Sequence, residues 1–262
     1  MKIHETAIVD KRAQLGPDVE IGPHTIVGAE VVIGEKCVIQ SHVVIEGSVR
    51  IGAGNLIGHG AIIGAAPQDL SFQVQTKSGV EIGNANVIRE YCTIHRGTTE
   101  GSVTKIGDKN FLMVGAHLGH NCTIGNNVII ANNCLLGGYA EIQDNAFLGG
   151  GCVFHQFIRV GRLAITQGGS AFSVDVPPFT MAALLNYAIG LNVIGLKRAG
   201  LTREERDELK AAFKLIYLSG LNTSQALAQA AEKTWSTTAR EFFNFITSAK
   251  KRGICKYRGS AD

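Results

Sequence analysis

The stretch IHETAIVDKRAQLGPDVEIGPHTIVGAEVVIGEKCVIQSHVVIEGSVRIGAGNLIGHGAII, residues 3 to 63, carries an apolar residue at every sixth position without a miss. The beat is Ile3, Val9, Leu15, Ile21, Val27, Ile33, Ile39, Ile45, Ile51, Ile57 and Ile63, and most of these are followed by Gly. After an interruption it resumes in a new phase at Ile82, Ile88 and Ile94. It then continues through Ile106, Leu112, Leu118, Ile124, Ile130, Leu136, Ile142, Leu148, Phe154 and Val160. A helix repeats about every 3.6 residues and a half-buried strand every two, so a period of six describes a repeating supersecondary unit. That unit is a coil of parallel β-structure.

Three hexads close an 18-residue coil if the cross-section is a triangle, with beat residues stacked inside each face and glycines at the corners. The period alone leaves the number of sides and the hand open. With 262 residues and 45% hydrophobic content the chain buries a sizeable core. Its 32 glycines against five prolines indicate tight corners rather than disorder. A net charge of +3, with no Lys/Arg-rich run in the repeat, argues against nucleic acid as a partner. Residues 1 to 10 hold no signal-like stretch, and no apolar run approaches the roughly 18 residues of a membrane span. A cytoplasmic protein without stable membrane insertion is expected. Cys37, Cys92, Cys122, Cys134 and Cys152 each fall four residues after a beat residue, a slot otherwise held by residues such as Ala7, Ala61, Ala116 and Ala146. They are expected inside the coil as small filler, and the paired spacings of a zinc or disulfide framework are absent.

Two segments break the repeat, which is where a solenoid commonly carries function. Residues 65 to 81 shift the phase; residues 96 to 105 replace one hexad and keep it. Both should leave the coil as loops. Past residue 175 the beat stops, and Val176-Pro177-Pro178 ends the solenoid. The expected organisation is a β-solenoid over residues 1 to 178 and a helical domain over residues 179 to 262. Thr202 and Glu205 read as a capping box, Leu209, Phe213, Ile216 and Tyr217 as one apolar face, and Gly220 as a helix stop. A last helix is expected near residues 237 to 251. Its basic end (Lys250, Lys251, Arg252, Lys256, Arg258) is either a solvated terminus favoured by the helix dipole or a landing patch for an acidic carrier protein.

No insertion disturbs the count between residues 106 and 163. His120, Gly138 and Gln156 should therefore stack in one column on coils about 4.8 Å apart, with Asn121, Tyr139 and Phe157 beside them. His120 stands two residues after Leu118, in neither inward slot, so its ring should face outward. Gly138 sets no side chain next to it and leaves a main-chain N–H open. A histidine beside an exposed amide suits acyl transfer to a hydroxyl. The imidazole takes the hydroxyl proton, an effect of roughly 10²- to 10⁴-fold, and the amide holds the developing oxyanion, worth roughly 3 kcal/mol. Spacing alone leaves an ordinary surface histidine as the alternative.

Six words then follow in order: Q-D-L (68 to 70), I-R-E-Y-C-T-I-H-R-G-T (88 to 98), G-A-H-L-G-H-N-C-T-I-G-N (115 to 126), F-H-Q-F (154 to 157), D-V-P-P-F (175 to 179) and G-L-K-R (195 to 198). With them the chain resembles, over nearly its whole length, the UDP-N-acetylglucosamine 3-O-acyltransferase family of lipid A biosynthesis. The resemblance implies an all-β left-handed parallel β-helix, a triangular prism of hexapeptide repeats, followed by a small α-helical C-terminal domain. That hand is an exception to the right-handed crossover rule. It also implies a homotrimer that moves a 3-hydroxyacyl chain from acyl carrier protein to the 3-position of UDP-N-acetylglucosamine, with no cofactor and no metal.

By the same resemblance His120 matches the general base and Gly138 the oxyanion amide. His95, His117 and His155 match cleft histidines, and Gln156 lies beside the acyl and substrate channel. Gln68 and Asp69 belong to a loop whose aspartate contacts the sugar from a neighbouring subunit, and Arg198 closes the last substrate-binding word. Gly168 falls where the family sets acyl length. Counting agrees independently, because Gly168 follows Gly150, and Gly169 follows Gly151, by one 18-residue coil. The pair makes a smooth strip for an alkyl chain, each buried methylene contributing about 0.8 kcal/mol; the bland alternative is glycines that only turn corners.

Several positions depart from the family pattern. Asn121 replaces an acid after the base, so it can hold the imidazole by its carbonyl oxygen but cannot stabilise the imidazolium by charge. Tyr139 replaces a cleft histidine, Ser71 a loop lysine and Ala199 a second arginine, and a G-N-x-A word is blurred to Leu184-Leu185-Asn186-Tyr187-Ala188. Most of these bear on recognition, which keeps open a different nucleotide sugar or a 3-amino acceptor on the same catalytic plan. A silent scaffold or a zinc-binding hexapeptide protein is the reading from another class. The zinc version needs a third ligand beside His117 and His120, where the count offers Leu135, Gly138 and the loop around Thr99 to Ser102, none a good ligand, and leaves His155 or a partner chain as the other sources.

Overall fold

The computed structural model describes residues 1–249 and 252–259 as a left-handed parallel β-helix that carries helices at its C-terminal end. Short strands stack into three faces, which the chain visits in turn on every coil. The first face begins with Lys2–Ile3, the second with Ile8–Val9 and the third with Gln14–Leu15. Pairing from coil to coil is parallel and keeps the 18-residue step between residues 106 and 160: His117 pairs with Leu135, and Leu135 with Val153. The beat residues point inward, and Ile33, Ile45, Ile63, Leu112 and Leu118 are buried. So are all six cysteines, each a free thiol. Burial pushes the Cys92 and Cys122 thiols up to about 12, which leaves them inert packing groups.

Glycine is not the main corner residue, contrary to expectation. The left-handed corner position is held along one edge by Asn121, Tyr139 and Phe157, with φ of 60°, 59° and 66°. The glycines that follow beat residues answer a different need, the approach of successive coils. A Cβ on Gly34 would stand 2.6 Å from the carbonyl carbon of Gly52.

The two excursions are shorter than their broken sequence patterns because both ends rejoin the sheets. The first covers residues 66–78, between strands Ile62–Ala65 and Gly79–Ile82. The second covers residues 96–102, between Thr93–His95 and Val103–Ile106. Ile57 therefore pairs with Ile88, and Ile88 with Leu112, so these coils are 31 and 24 residues long while the beat stays aligned.

The segment after Pro178 opens with strands rather than helices. Thr180–Ala183 pairs with Ile165–Thr166 on the first face, Tyr187–Leu191 returns antiparallel to it, and Lys256–Tyr257 joins in parallel. The two prolines remove only their own N–H donors, and the residues after them are free to resume pairing. The helices are α1 (Val193–Arg198), α2 (Arg203–Tyr217), α3 (Thr223–Ala231) and α4 (Thr237–Thr247). The capping box at Thr202 and Glu205 is formed, and Leu209, Phe213 and Ile216 are buried. Helix α4 stops short of residue 251, its end capped at Ser248; Lys250 and Lys251 of the expected basic patch lie outside the described residues. Two arginines of the last coil fix the helices to the prism. Arg159 pairs with Asp175 at 2.7 Å and lies 4.3 Å over Phe245, while Arg162 donates twice to Glu241 and lies over Phe179. No described helix is long and apolar enough to cross a membrane.

Candidate active site

Three successive coils bring His120, Gly138 and Gln156 into one column at the edge between the second and third faces. With Gln68, His95, His117 and His155 they line a single cleft of about 330 Å³. A larger groove of about 880 Å³ lies between the third face and α4, but its Arg159 and Arg162 are already paired with Asp175 and Glu241.

The His120 ring faces outward and is half-buried. Its Nδ1 lies 3.0 Å from Asn121 Oδ1, and the main-chain N–H and hydroxyl of Thr98 both donate to that same oxygen at 3.0 Å. A main-chain N–H only donates, so the atom facing both Thr98 and His120 is the amide oxygen. His120 must then donate from Nδ1, which leaves the Nε2 lone pair free to accept a proton. The ring meets Tyr139 edge-on, with centroids 5.2 Å apart, and Tyr139 stacks on Phe157 at 4.8 Å. Gly138 is buried beneath the imidazole, and its N–H has no acceptor among the described residues. A free lone pair and a free amide thus face one cleft from neighbouring coils.

The other histidines are held by polar partners. His117 Nδ1 is 2.7 Å from Thr93 Oγ1, and His95 donates from Nδ1 to the Ala66 carbonyl at 2.6 Å. Burial, and then the neighbouring charge of His95, hold His117 below the usual imidazole range. The residue one coil back from His117 is Thr93 and not the stretch Thr99 to Ser102, because the extra residues of the second excursion bulge out of the coil. Among the described residues no group of three or more His, Cys, Asp or Glu side chains is disposed to hold a metal ion.

The first excursion folds over the cleft of its own chain, where Gln68 is a lining residue. Asp69 is half-buried and accepts from the Ser71 hydroxyl and main-chain N–H at 2.7 and 2.8 Å. These bonds, helped by the charge of His120, hold its carboxyl below the usual range. His155 accepts at Nδ1 from Arg252, 2.6 Å away, so the basic C-terminal segment touches the cleft.

Gly168 and Arg198 lie elsewhere on the chain. Gly168 turns the edge between the first and second faces, between strands Ile165–Thr166 and Ala171–Phe172, whereas His120 sits on the second-to-third edge. Arg198 is exposed at the end of α1, which Asn192 ties to the Leu163 carbonyl near the edge between third and first faces. One protomer therefore does not bring either residue to the base. Reading by sequence also missed Thr93 and Thr98, and it placed Arg252 in the basic C-terminal end without its contact to His155. The words around residues 93 and 98 were visible, but the lengthened coil spoils the 18-residue count that would have paired them with His117 and Asn121.

A family model for UDP N-acetylglucosamine O-acyltransferase, domain 2, matches residues 175–255, and one for bacterial transferase hexapeptide repeats matches residues 1–34 and 104–138. The acyl-[acyl-carrier-protein]–UDP-N-acetylglucosamine O-acyltransferase of Anaeromyxobacter sp. (strain K) is 44% identical over 258 residues, covering 98% of this chain and 100% of that one. The protein of the same description from Burkholderia lata is 43% identical over 263 residues, covering 97% and 99%. Among solved structures, the UDP-N-acetylglucosamine acyltransferase from Campylobacter jejuni superposes with a TM-score of 0.92 at 37% identity, covering 98% of this chain and 100% of that one. The corresponding acyltransferase from Bacteroides fragilis gives 0.90 at 40% identity, covering 96% and 98%.

Proposed function

The chain belongs to the acyl carrier protein-dependent UDP-N-acetylglucosamine O-acyltransferase family, and from that premise we propose which of its groups carry the reaction. It is an acyltransferase of lipid A biosynthesis that moves an acyl chain from acyl carrier protein to a hydroxyl of UDP-N-acetylglucosamine. In our reading the chain is 3-hydroxyacyl and the acceptor is the sugar 3-hydroxyl. Nε2 of His120 removes the hydroxyl proton as the oxygen attacks the thioester carbonyl. The carbonyl oxygen becomes an oxyanion held by the Gly138 N–H. The C–S bond then breaks, and the imidazolium returns its proton to the departing carrier thiolate. The free Nε2 lone pair beside the unpaired Gly138 amide is the observation that carries this assignment.

The same reading makes the active unit a homotrimer. Outward positions of the first face include Val38, Leu56, Val87, Phe111, Ile129 and Phe147, and those of the second include Ile8, Ile26, Val44, Ile62, Leu135 and Val153. The third face instead presents Arg50, Glu81, Lys105, Thr123, Glu141 and Arg159. Two apolar faces and one charged face suit three prisms packed first face against second around a threefold axis. That packing turns the Gly168 edge toward the axis and brings the Arg198 side of one copy to the His120 edge of the next. Asp69, Gln68, His95, His117, His155 and Gln156 then serve the sugar and the acyl channel. Six buried free thiols suit a reducing compartment, and the cytoplasm is the one we propose.

The experiment is an assay of purified protein with 3-hydroxyacyl carrier protein and UDP-N-acetylglucosamine, read by mass spectrometry. Wild type should give the O-acylated sugar nucleotide, and His120→Ala should be folded, trimeric and inactive. Full activity in His120→Ala would remove the assignment of the base.

A further inference from the structure

We propose that Thr98 and Tyr139 are positioning residues for the base, acting through Asn121. The proposal rests on His120 being that base. A carboxylate beside an imidazole has two equivalent oxygens, and either one can accept the Nδ1 proton. An asparagine does not. If its amide turns over, an NH₂ group faces Nδ1, the imidazole must accept there, and the proton moves to Nε2, where the reaction needs a lone pair. A neutral orienting residue therefore requires something to hold its amide in one of two otherwise similar orientations.

The Thr98 main-chain N–H and hydroxyl both donate to Asn121 Oδ1, and so both favour the productive orientation. The Thr98 hydroxyl has one proton, directed at Asn121, so the Tyr139 hydroxyl 3.0 Å away must donate to Thr98 Oγ1. The result is a one-way chain from Tyr139 to Thr98 to Asn121 Oδ1, where His120 Nδ1–H arrives from the other side. Aligned donors polarise one another, which strengthens the end of the chain that orients the base. Asn121 is itself fixed to the corner by its main-chain N–H, which donates to Thr104 Oγ1 at 2.8 Å. Tyr139 is held by stacking on Phe157. The residues that replace an acid and a histidine in the family pattern thus work as one unit.

The test uses the intact enzyme and compares Thr98→Val, Thr98→Ser and Tyr139→Phe, each also made in an Asn121→Asp background. Thr98→Val should lower kcat by roughly tenfold, the size of one net hydrogen bond, with KM values within about twofold of wild type. Thr98→Ser should restore kcat, and Tyr139→Phe should fall between them. In the Asn121→Asp background the same Thr98→Val change should have little effect, because a carboxylate needs no orienting. A packing role alone would not be rescued in this way. An unchanged kcat in Thr98→Val, or a loss that persists beside Asp at position 121, overturns the proposal. If Thr98→Val does not fold, Tyr139→Phe, which removes a single hydroxyl, is read by the same two criteria. His120→Ala separates the two levels: if it is active the base assignment itself is wrong, and if it is inactive while Thr98→Val is unaffected only the positioning chain is wrong.

Discussion

The imidazole of His120 fills the space that a side chain on Gly138 would occupy, one coil along the prism. A Cβ built on Gly138 runs into Cε1, Nε2 and Nδ1 of that ring. The absence of a side chain is thus what lets the base lie against the amide. Gly138 has ordinary backbone angles, so an alanine strains the ring's position and not the main chain. Gly138→Ala should keep the fold and Tm close to wild type while lowering kcat by roughly 10²-fold, the effect of about 1 Å of misplacement. Steady-state kinetics beside a thermal melt would check it, and wild-type turnover would show that the contact is unimportant.

Asn121 gives the second prediction. Asn121→Asp would set a negative charge 3.0 Å from His120 Nδ1, in a setting that also contains Asp69, His95, His117, Tyr139 and His155. Thr98 can donate to a carboxylate as it does to the amide, so the geometry should survive. The added charge favours imidazolium in the transition state, and for a part-exposed pair about 1 kcal/mol corresponds to a kcat gain of roughly fivefold. It also favours imidazolium in the resting enzyme. The acid limb of the kcat/KM profile should therefore move to higher pH, and a limb that stays put would argue against contact between the two groups during turnover.

The third prediction concerns His117, whose folded state disfavours the charged form through burial and then through His95. At low pH the unfolded chain binds a proton that the folded chain resists. Stability from this residue is therefore complete above the ordinary value of 6.5 and falls as the pH drops below it toward the lower folded value. Replacing His117 with Gln, which stays neutral, should flatten the fall in Tm between about pH 7 and pH 5. Equal slopes for the two proteins would mean that other groups dominate.

The parts of this architecture that sequence reading recovers are those where one rule repeats undisturbed. His120, Gly138 and Gln156 could be stacked on paper because no residue is inserted between 106 and 163, and the pairing of His117 with Leu135 keeps that step. The same count fails across the second excursion, where His117 pairs with Thr93 at a spacing of 24, and so the Thr98 donors to Asn121 and the Thr93 partner of His117 were out of reach. Strand Thr180–Ala183 was hidden by the prolines before it, together with Tyr187–Leu191, which pairs back onto it, and strand Lys256–Tyr257 by a partner that is distant in sequence. Which residues from different copies meet was beyond counting altogether. Gly168 and His120 occupy different edges of one prism, so whether a bound acyl chain is led from one to the other depends on how copies pack.

That relation supplies the last prediction. An acyl chain whose carbonyl lies at His120 must cross the second face to reach the edge where Gly168 follows Gly150. A Cβ on Gly168 would stand 3.1 Å from the Gly150 carbonyl oxygen, a close contact that a few tenths of an ångström relieve, and the backbone there is not left-handed. A side chain at Gly168 therefore meets only this one tight contact, whereas at Gly169, whose φ is 69°, the backbone itself would be strained. Gly168→Met should occupy the space of the terminal methylenes and shorten the preferred chain by roughly two to four carbons. Each methylene that loses its contact lowers kcat/KM by about fourfold, equivalent to about 0.8 kcal/mol. Mass spectrometry of products from a mixed pool of acyl carrier proteins would read the change directly. An unaltered product distribution from a stable Gly168→Met enzyme would mean that the acyl chain never reaches this edge, and the trimer packing that carries it there would have to be redrawn.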